Sequence, residues 1–177
     1  MNKELLLSNL RNIPDFPIPG IQFKDVTSLF KNPACMQELD KALYEMYKDC
    51  GITKIVGIES RGLVMASALA VKLNAGFVPI RKPGKLPAET ISESYGKEYG
   101  RDTIEIHKDA INENDVVLIH DDLLATGGTM LAAYNLVKKL NPKRVMINFL
   151  IELEGLKGRS TFPADAEIDC LLTLEGK

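Results

Sequence analysis

The stretch VVLIHDDLLATGGTM, residues 116–130, combines an apolar run, two adjacent acids and a loop rich in glycine and threonine. The run 116–119 predicts a buried strand, because a short apolar segment bounded by polar residues is typical of a strand covered on both faces. The helix that follows is predicted to begin at Thr126 or Gly127 and to continue to Leu140. A buried strand followed at once by a helix predicts a parallel β-α-β unit.

The flanking sequence repeats this alternation of strand and helix. Short apolar runs predict buried strands, and amphipathic or wholly apolar stretches predict the helices between them. The predicted strands are 54–58, 77–81, 144–151 and 169–174, and the predicted helices are 3–11, 32–50 and 61–73. We therefore expect a single α/β domain over residues 1–177, with a parallel sheet and helices on both faces.

Local signals refine several of these elements. Asn32 is a predicted N-cap, and Pro33 suits the first turn of the helix that follows it. Three prolines and a glycine in 13–20 predict an extended, turning segment, and 21–26 is either a short strand or an ordered loop. Residues 103–107 alternate apolar and polar side chains, as an exposed or antiparallel strand does.

Two segments depart from the simple pattern. Helix 61–73 is apolar nearly all round, so we expect it to be buried on more than one side, by the domain or by a partner subunit. Residues 82–102 are mostly Pro, Gly, Ser and charged residues and predict a long loop. A loop of this length in a compact domain is usually a lid, a binding loop or a disordered insertion. Tyr95 and Tyr99 argue against pure disorder.

Composition narrows the classes of function. The net charge is −2, which provides no basic field for nucleic acid. No apolar run approaches the roughly 20 residues of a membrane helix, and the N-terminus lacks the layout of a signal peptide. Cys35, Cys50 and Cys170 are too widely spaced for a disulfide framework or a metal site. We expect a cytoplasmic protein without a nucleic-acid or membrane partner.

The loop Ala125-Thr126-Gly127-Gly128-Thr129 has the properties of a phosphate-binding site. Glycines let backbone N–H groups approach an anion, a helix N-terminus supplies unpaired N–H groups, and two hydroxyls add donors. The loop lacks both the lysine of GxxxxGK[ST] and the spacing GxGxxG, which argues against nucleoside-triphosphate and dinucleotide sites. The alternative is a plain helix start, with Thr126 as N-cap and the glycines in a tight turn.

Asp121 and Asp122 precede this loop and follow the predicted strand directly. Two adjacent carboxylates can accept hydrogen bonds from the vicinal hydroxyls of a ribose, or hold Mg²⁺ through water. In a parallel sheet they would lie at the carboxyl end of the strand, where ligands bind. The loops after 58 and 80 are expected to meet them there.

The whole segment resembles the 5-phosphoribosyl 1-diphosphate (PRPP) signature of the type I phosphoribosyltransferases. The resemblance implies that fold with a flexible lid loop over 82–102, ribose contacts by Asp121 and Asp122, and binding of the 5′-phosphate by 125–129. Four further segments resemble the adenine-specific branch of the family in order and spacing, over nearly the whole chain. They are DFPIPGIQFKD at 15–25, GIESRG at 57–62, RKPGKLP at 81–87 and EYG at 98–100.

The branch implies transfer of the phosphoribosyl group of PRPP to adenine, giving AMP and diphosphate, with Mg²⁺ carried by PRPP rather than bound directly. It also implies a homodimer. The implied diphosphate-binding residues are Glu59, Ser60, Arg61, Arg81, Lys82 and Lys85, and Arg61 is also an implied catalytic residue. Apart from the resemblance, small residues and an arginine between a strand and a helix can bind diphosphate through main chain and guanidinium. The alternatives are that Ser60 caps the helix and that the basic side chains are merely solvated.

The N-terminal segment 1–30 is the implied base-recognition region. Phe23 would stack on the base, with core packing as its alternative, and backbone groups of Gln22 and Lys24 would read the base edge. Glu98, on the lid, is the implied group for proton transfer to or from the base. The sequence departs from the branch at Lys24, where arginine is common, and at His120, where an aliphatic residue is common.

Two other functions stay open at this point. One is a phosphoribosyltransferase for guanine, hypoxanthine, xanthine or orotate. The other is a regulator that binds PRPP as an effector without catalysis, although the net charge of −2 and the retained Glu98 oppose it. His107 and His120 are the histidines of the chain; we place His107 on the exposed strand and His120 at a strand end beside the site.

Overall fold

The structure is a computed structural model in which residues 1–96 and 101–176 are described. In chain order the elements are α1 (Lys3–Asn9), β1 (Arg11–Pro14), β2 (Gln22–Asp25), α2 (Thr27–Phe30), α3 (Pro33–Tyr47), β3 (Lys54–Ile58), α4 (Gly62–Lys72), β4 (Gly76–Ile80), β5 (Thr90–Gly96), β6 (Arg101–His107), β7 (Val116–Leu124), α5 (Gly128–Lys138), β8 (Arg144–Leu153) and β9 (Glu167–Leu174). Two short 3₁₀ turns, Glu154–Leu156 and Gly158–Thr161, lie between β8 and β9.

A parallel sheet of five strands, in the order β4-β3-β7-β8-β9, forms the centre of the fold. The predicted parallel sheet is therefore confirmed. Because β3 and β7 are neighbours, the two loops with the strongest chemical signals start side by side, at the carboxyl ends of their strands.

Helices cover both faces of this sheet, as predicted. On one face, α3 and α4 contribute Leu39, Leu43 and Leu69 to a core that also contains Leu118 of β7. On the other face, α5 packs with the β5–β6 strands around Ile119, which points away from Leu118. Adjacent residues of β7 thus belong to different cores, which is why its run is apolar without interruption.

Residues 82–102, predicted to be a continuous loop, instead contain strand β5 and the first residues of β6. The two strands pair antiparallel from Thr90–His107 to Gly96–Arg101. The prediction was wrong for β5 because Ser92, Glu93 and Ser94 give it a polar appearance, while only Ile91 and Tyr95 pack against the core. The antiparallel character predicted for 103–107 is confirmed.

Other boundaries also differ from the predictions. The Asn32 side chain accepts hydrogen bonds from the N–H groups of Ala34 and Cys35, which confirms the N-cap. The first helix ends at Asn9 because the chain turns into β1, which pairs with β2. Helix α4 packs against the sheet and against α3, but one side of it is open, since Val71 is 85% exposed. Among the described helices, none combines the length and apolar composition that a bilayer-spanning segment requires.

Candidate active site

A polar cavity of about 240 Å³ opens at the carboxyl ends of β3, β4 and β7. The loops predicted to meet there do so. The lining residues are Ile58, Glu59, Ser60, Arg61, Ile80, Arg81, Lys82, Tyr95, Asp102, Ile104, Asp121, Asp122 and Thr129. Positive and negative side chains are both plentiful, so the cavity suits a ligand that carries anionic groups and hydroxyls together.

Three ion pairs cross this cavity. Arg61 Nε donates to Asp122 Oδ2 over 2.5 Å. Arg81 donates from Nε and Nη2 to the two oxygens of Glu59, over 3.2 and 3.1 Å. Lys82 Nζ pairs with Asp102. Each of these cations is therefore paired with one carboxylate beside the cavity. A ligand anion of higher charge could displace that carboxylate.

Glu59 does not itself present a free carboxylate to a ligand. Besides Arg81, it accepts a hydrogen bond from the Lys82 backbone N–H over 3.0 Å. These contacts, led by the Arg81 side chain, lower the pKa of Glu59 below its usual value. In this geometry Glu59 orients Arg81. Ser60, which is joined to Glu59 by a cis peptide bond, also lines the cavity.

Asp121 and Asp122 lie within β7, which continues to Leu124, and not beyond the strand as predicted. The strand is longer because β8 pairs with it as far as Leu124–Glu152. Asp121 Oδ1 accepts from the Asp122 N–H over 2.9 Å. Burial raises the pKa of Asp121 well above its usual value, and the charge of Asp122 raises it further. The two carboxylates therefore differ: Asp122 is neutralised by Arg61, and Asp121 is available to a neutral hydroxyl group.

The loop 125–129 lines a second, smaller cavity of about 100 Å³. Asp121 and Thr129 line both cavities, so the two lie side by side. Gly127 has a φ of +86°, a left-handed conformation that favours glycine, and helix α5 begins at Gly128. The loop thus delivers the helix N-terminus, with its unpaired N–H groups, to the smaller cavity, as expected of a phosphate-binding loop.

Gly62 places the loop after β3 in direct contact with β7. A Cβ atom at this position would lie 2.8 Å from Asp121 Oδ1 and 2.9 Å from the His120 carbonyl oxygen. No side chain fits such a gap. The absence of a side chain at Gly62 therefore allows Arg61 to reach Asp122.

Phe23 of β2 lies beside the cavity rather than in its lining. The Arg61 guanidinium is 5.4 Å from the centroid of the Phe23 ring, and the Phe16 ring meets the same ring edge-on at 5.1 Å. Gln22 and Lys24 both contact the Asn12 side chain, over 2.7 and 2.9 Å. Strand β2 pairs only with β1 in the described part of the chain, so the main chain of its other edge is open.

Lys85 and Glu98 are the predicted site residues that remain. Lys85 lies in the turn after Lys82, where its charge contributes to the lowered pKa of Glu59, but it does not line the cavity. Glu98 lies outside the described residues.

Tyr95 and Asp102 were not among the predicted site residues. The Tyr95 hydroxyl donates to Asp102 Oδ2 over 3.2 Å, and the Thr129 hydroxyl donates to Tyr95 over 3.1 Å. The β5–β6 hairpin therefore contacts the loop 125–129. The one signal for Tyr95 in the sequence was an aromatic residue in an otherwise polar segment.

The histidines occupy different environments. His120 is buried, and its Nδ1 lies 2.8 Å from the Asn148 side-chain oxygen. Burial lowers its pKa to about 4. His107 accepts a weak bond from the Ala88 N–H over 3.4 Å and does not line the cavity. Neither histidine is placed to exchange a proton with a ligand there.

Comparison with known proteins agrees with this geometry. A family model described as the phosphoribosyl transferase domain matches residues 25–174. The chain is 67% identical to the adenine phosphoribosyltransferase of Bacteroides thetaiotaomicron over 174 residues, 98% of this chain and 99% of that protein.

Solved structures agree as well. The adenine phosphoribosyltransferase of Rhodothermus marinus is 51% identical, with a TM-score of 0.90 over 97% of each chain. The enzyme of Giardia lamblia, complexed with 9-deazaadenine, is 39% identical, with a TM-score of 0.93 over 99% of each chain. The chain therefore belongs to the adenine phosphoribosyltransferase family, within the type I phosphoribosyltransferases.

Proposed function

We propose that this protein transfers the 5-phosphoribosyl group of PRPP to adenine, giving AMP and diphosphate. The observation that carries the proposal is the junction of two cavities at Asp121 and Thr129. One cavity is lined by basic side chains and the other by a helix N-terminus, so two anionic groups can be held on either side of a sugar. PRPP has that arrangement of charges.

In this reading the 5′-phosphate binds to Ala125, Thr126, Gly127, Gly128 and Thr129. The ribose hydroxyls donate to Asp121 and Asp122, and the diphosphate lies against Ser60, Arg61, Arg81 and Lys82. Glu59 acts by orienting Arg81, and Lys85 adds positive charge nearby. Holding the sugar at both ends removes most of its freedom before reaction, which is a large part of what an enzyme can contribute.

Cleavage of the bond between C1′ and the diphosphate oxygen leaves positive charge on the ribose ring. Donors that meet the departing diphosphate lower the barrier, because its negative charge grows as the bond breaks. Arg61 and Arg81 are the donors placed to do this, Arg61 once the diphosphate draws it from Asp122 and Arg81 while Glu59 still orients it. The carboxylates of Asp121 and Asp122 lie on the ribose side, where they favour the positive ring.

Adenine is proposed to stack on Phe23, with main-chain groups of Gln22 and Lys24 at its edge. The Arg61 guanidinium now lies over that ring at 5.4 Å, so the incoming base would take its place. Residues 1–30 then form the base-recognition segment of the single domain, and 82–102 its lid. Glu98, on the lid, is proposed to exchange the proton of the base. A closed lid would exclude water, which otherwise hydrolyses PRPP.

Mg²⁺ is the proposed cofactor. The described residues contain no group of three or more side chains that could hold a metal. Asp121 and Asp122 supply two carboxylates, a donor set that fits an ion carried mainly by substrate phosphates, either directly or through water. When bound, Mg²⁺ would neutralise part of the diphosphate charge.

A homodimer is proposed from the surface of α4 and β4. Val71 is 85% exposed, and Val64 and Phe77 are 37% and 40% exposed. Exposed apolar side chains on two adjoining elements favour a protein interface over open solvent. Sedimentation velocity tests the proposal, and a monomeric mass at micromolar concentration would contradict it.

We also propose a cytoplasmic location, since Cys35, Cys50 and Cys170 are all free thiols.

The function is tested by measuring diphosphate and AMP in the presence of adenine, PRPP and Mg²⁺, with each omitted in turn. All three are expected to be needed. Replacing adenine with hypoxanthine, guanine, xanthine or orotate tests the choice of base, and a preference for any of these would contradict it. PRPP binding without turnover of any base would favour the regulator instead.

A further inference from the structure

We propose that Gly158, Arg159 and Thr161, on the turn after β8, position the phosphate-binding loop 125–129 from behind. None of the three lines either cavity. They act through the loop, as positioning residues. The inference rests on the proposed function for the identity of the anion, but the contacts that carry it are independent of the reaction.

The turn lies directly against the loop. A Cβ atom at Gly158 would lie 2.3 Å from the Ala125 carbonyl oxygen, and one at Gly127 would lie 2.8 Å from the Gly158 carbonyl oxygen. The Thr161 hydroxyl donates to the Thr126 carbonyl over 2.9 Å. Two glycines thus allow backbone to meet backbone, and one side-chain hydrogen bond sets the position of the loop.

The turn is itself held to the sheet by Arg159. Its Nε is 2.8 Å from each carboxylate oxygen of Glu152, a largely buried residue of β8. Its Nη1 donates to the Ile168 carbonyl of β9 over 2.9 Å. A guanidinium that bridges two strands gives the turn a fixed position, because charge-assisted bonds of this geometry are strongly directional.

These contacts form a continuous path from the sheet to the anion. Glu152 pairs with Leu124 across β7 and β8, so the carboxylate starts beside the strand that leads into the loop. From Glu152 the path runs through Arg159 to Thr161 and so to the Thr126 carbonyl. Since a phosphate-binding loop works through N–H groups whose directions must converge, a small rotation of its backbone weakens several bonds at once.

The experiment compares Arg159→Gln and Thr161→Val with wild-type protein. The dissociation constant of ribose 5-phosphate is measured by calorimetry, and the KM values of PRPP and adenine by turnover. We expect the dissociation constant and the KM of PRPP to rise about tenfold in Arg159→Gln and about threefold in Thr161→Val. The KM of adenine should change less than twofold. Thr161→Val keeps the shape of the side chain and serves as the test if Arg159→Gln folds poorly.

Two controls separate positioning from general stability. Arg144 forms a similar two-bond pair with Glu167, at the opposite ends of β8 and β9. Ser160 lies in the same turn, but its hydroxyl donates to the Lys157 carbonyl and not to the loop. Arg144→Gln and Ser160→Ala should leave the affinity for ribose 5-phosphate unchanged.

The inference is overturned if Thr161→Val binds ribose 5-phosphate as wild type does, or if Arg144→Gln weakens binding as much as Arg159→Gln. Failure of the proposed function gives a different result. In that case wild-type protein makes no AMP, while the comparison of binding among the variants still decides whether the turn positions the loop.

Discussion

The hydroxyl of Thr129 donates a hydrogen bond to the hydroxyl of Tyr95 over 3.1 Å, joining the loop 125–129 to the β5–β6 hairpin. The Tyr95 hydroxyl in turn donates a hydrogen bond to Asp102, which also pairs with Lys82. One aromatic hydroxyl thus links three of the segments that line the larger cavity.

Tyr95→Phe removes both hydrogen bonds and keeps the ring that packs against the core. A neutral hydrogen bond contributes about 0.5–1.5 kcal/mol, so we expect the amides of β5 to exchange with solvent roughly twofold to tenfold faster. Hydrogen exchange followed by mass spectrometry measures this. Tyr44→Phe, on the opposite face of the sheet, is the control. Unchanged exchange in β5 would show that Tyr95 does not hold the hairpin in place.

The double variant Asp121→Asn with Asp122→Asn is expected to lose turnover while keeping the fold. Amides cannot provide the negative charge proposed to favour the ribose ring. The fold should persist, because the raised pKa of Asp121 means that its ionised form destabilises the folded state at neutral pH. An amide removes that cost. Turnover is measured beside circular dichroism, and wild-type activity in the double variant would rule out the assigned role.

Glu98→Gln tests the proton transfer proposed for the lid. The amide has the same shape but cannot exchange a proton, so kcat should fall by about 10²–10⁴. The affinity for PRPP should be retained, because Glu98 is not proposed to bind it. Glu89→Gln is the control, since Glu89 pairs with Lys108 away from the cavity. If kcat is unchanged in Glu98→Gln, the proton is transferred by another group.

His120 predicts a dependence of stability on pH. Its pKa is lowered to about 4 in the folded protein, against about 6.5 for an unperturbed histidine. Between these values the unfolded chain binds the proton and the folded protein does not. The contribution of His120 is therefore fully present above pH 6.5 and is lost as the pH falls toward 4. Between pH 7.5 and 5.0 the loss is about 2 kcal/mol.

Urea unfolding at these two pH values checks the prediction. His120→Asn removes the titrating group, while its Nδ2 can replace Nδ1 as the donor to Asn148. The free energy of unfolding of this variant should fall about 2 kcal/mol less than that of wild type over the same interval. His107→Gln, at a partly exposed position, should behave as wild type does. Equal pH dependence in His120→Asn and wild type would refute the assignment.

The parallel sheet could be predicted because its strands are apolar on both faces, and α3 because Asn32 and Pro33 mark its start. Strand β5 could not, since the face that bears Ile91 and Tyr95 also carries Glu93, and serines occupy the solvent side. The end of β7 was also missed. Aspartates are poor strand residues by propensity, and the strand extends past them because Leu123 pairs with Ile151 and Leu124 with Glu152.

The site residues that could be predicted from the sequence are those that lie close together along the chain. The acids and the glycine loop stand together in 121–129, so the sequence alone predicts a binding site there. Arg159 lies 30 positions beyond Thr129. Its link to the loop depends on how β8 returns beside β7, which no local pattern reveals. Tyr95 likewise reaches Thr129 only through tertiary packing of the hairpin on α5.

The missing side chain at Gly62 has a consequence for the length of the molecule that can be bound. A Cβ atom there would meet the His120 carbonyl oxygen and the Asp121 Cα as well as the Asp121 side chain, so a change of the Asp121 rotamer alone cannot widen the gap. The distance between the loop after β3 and the two aspartates of β7 is therefore set by van der Waals contact. We expect the protein to accept changes in the base more readily than any change in the number of atoms between the two anionic groups of its donor.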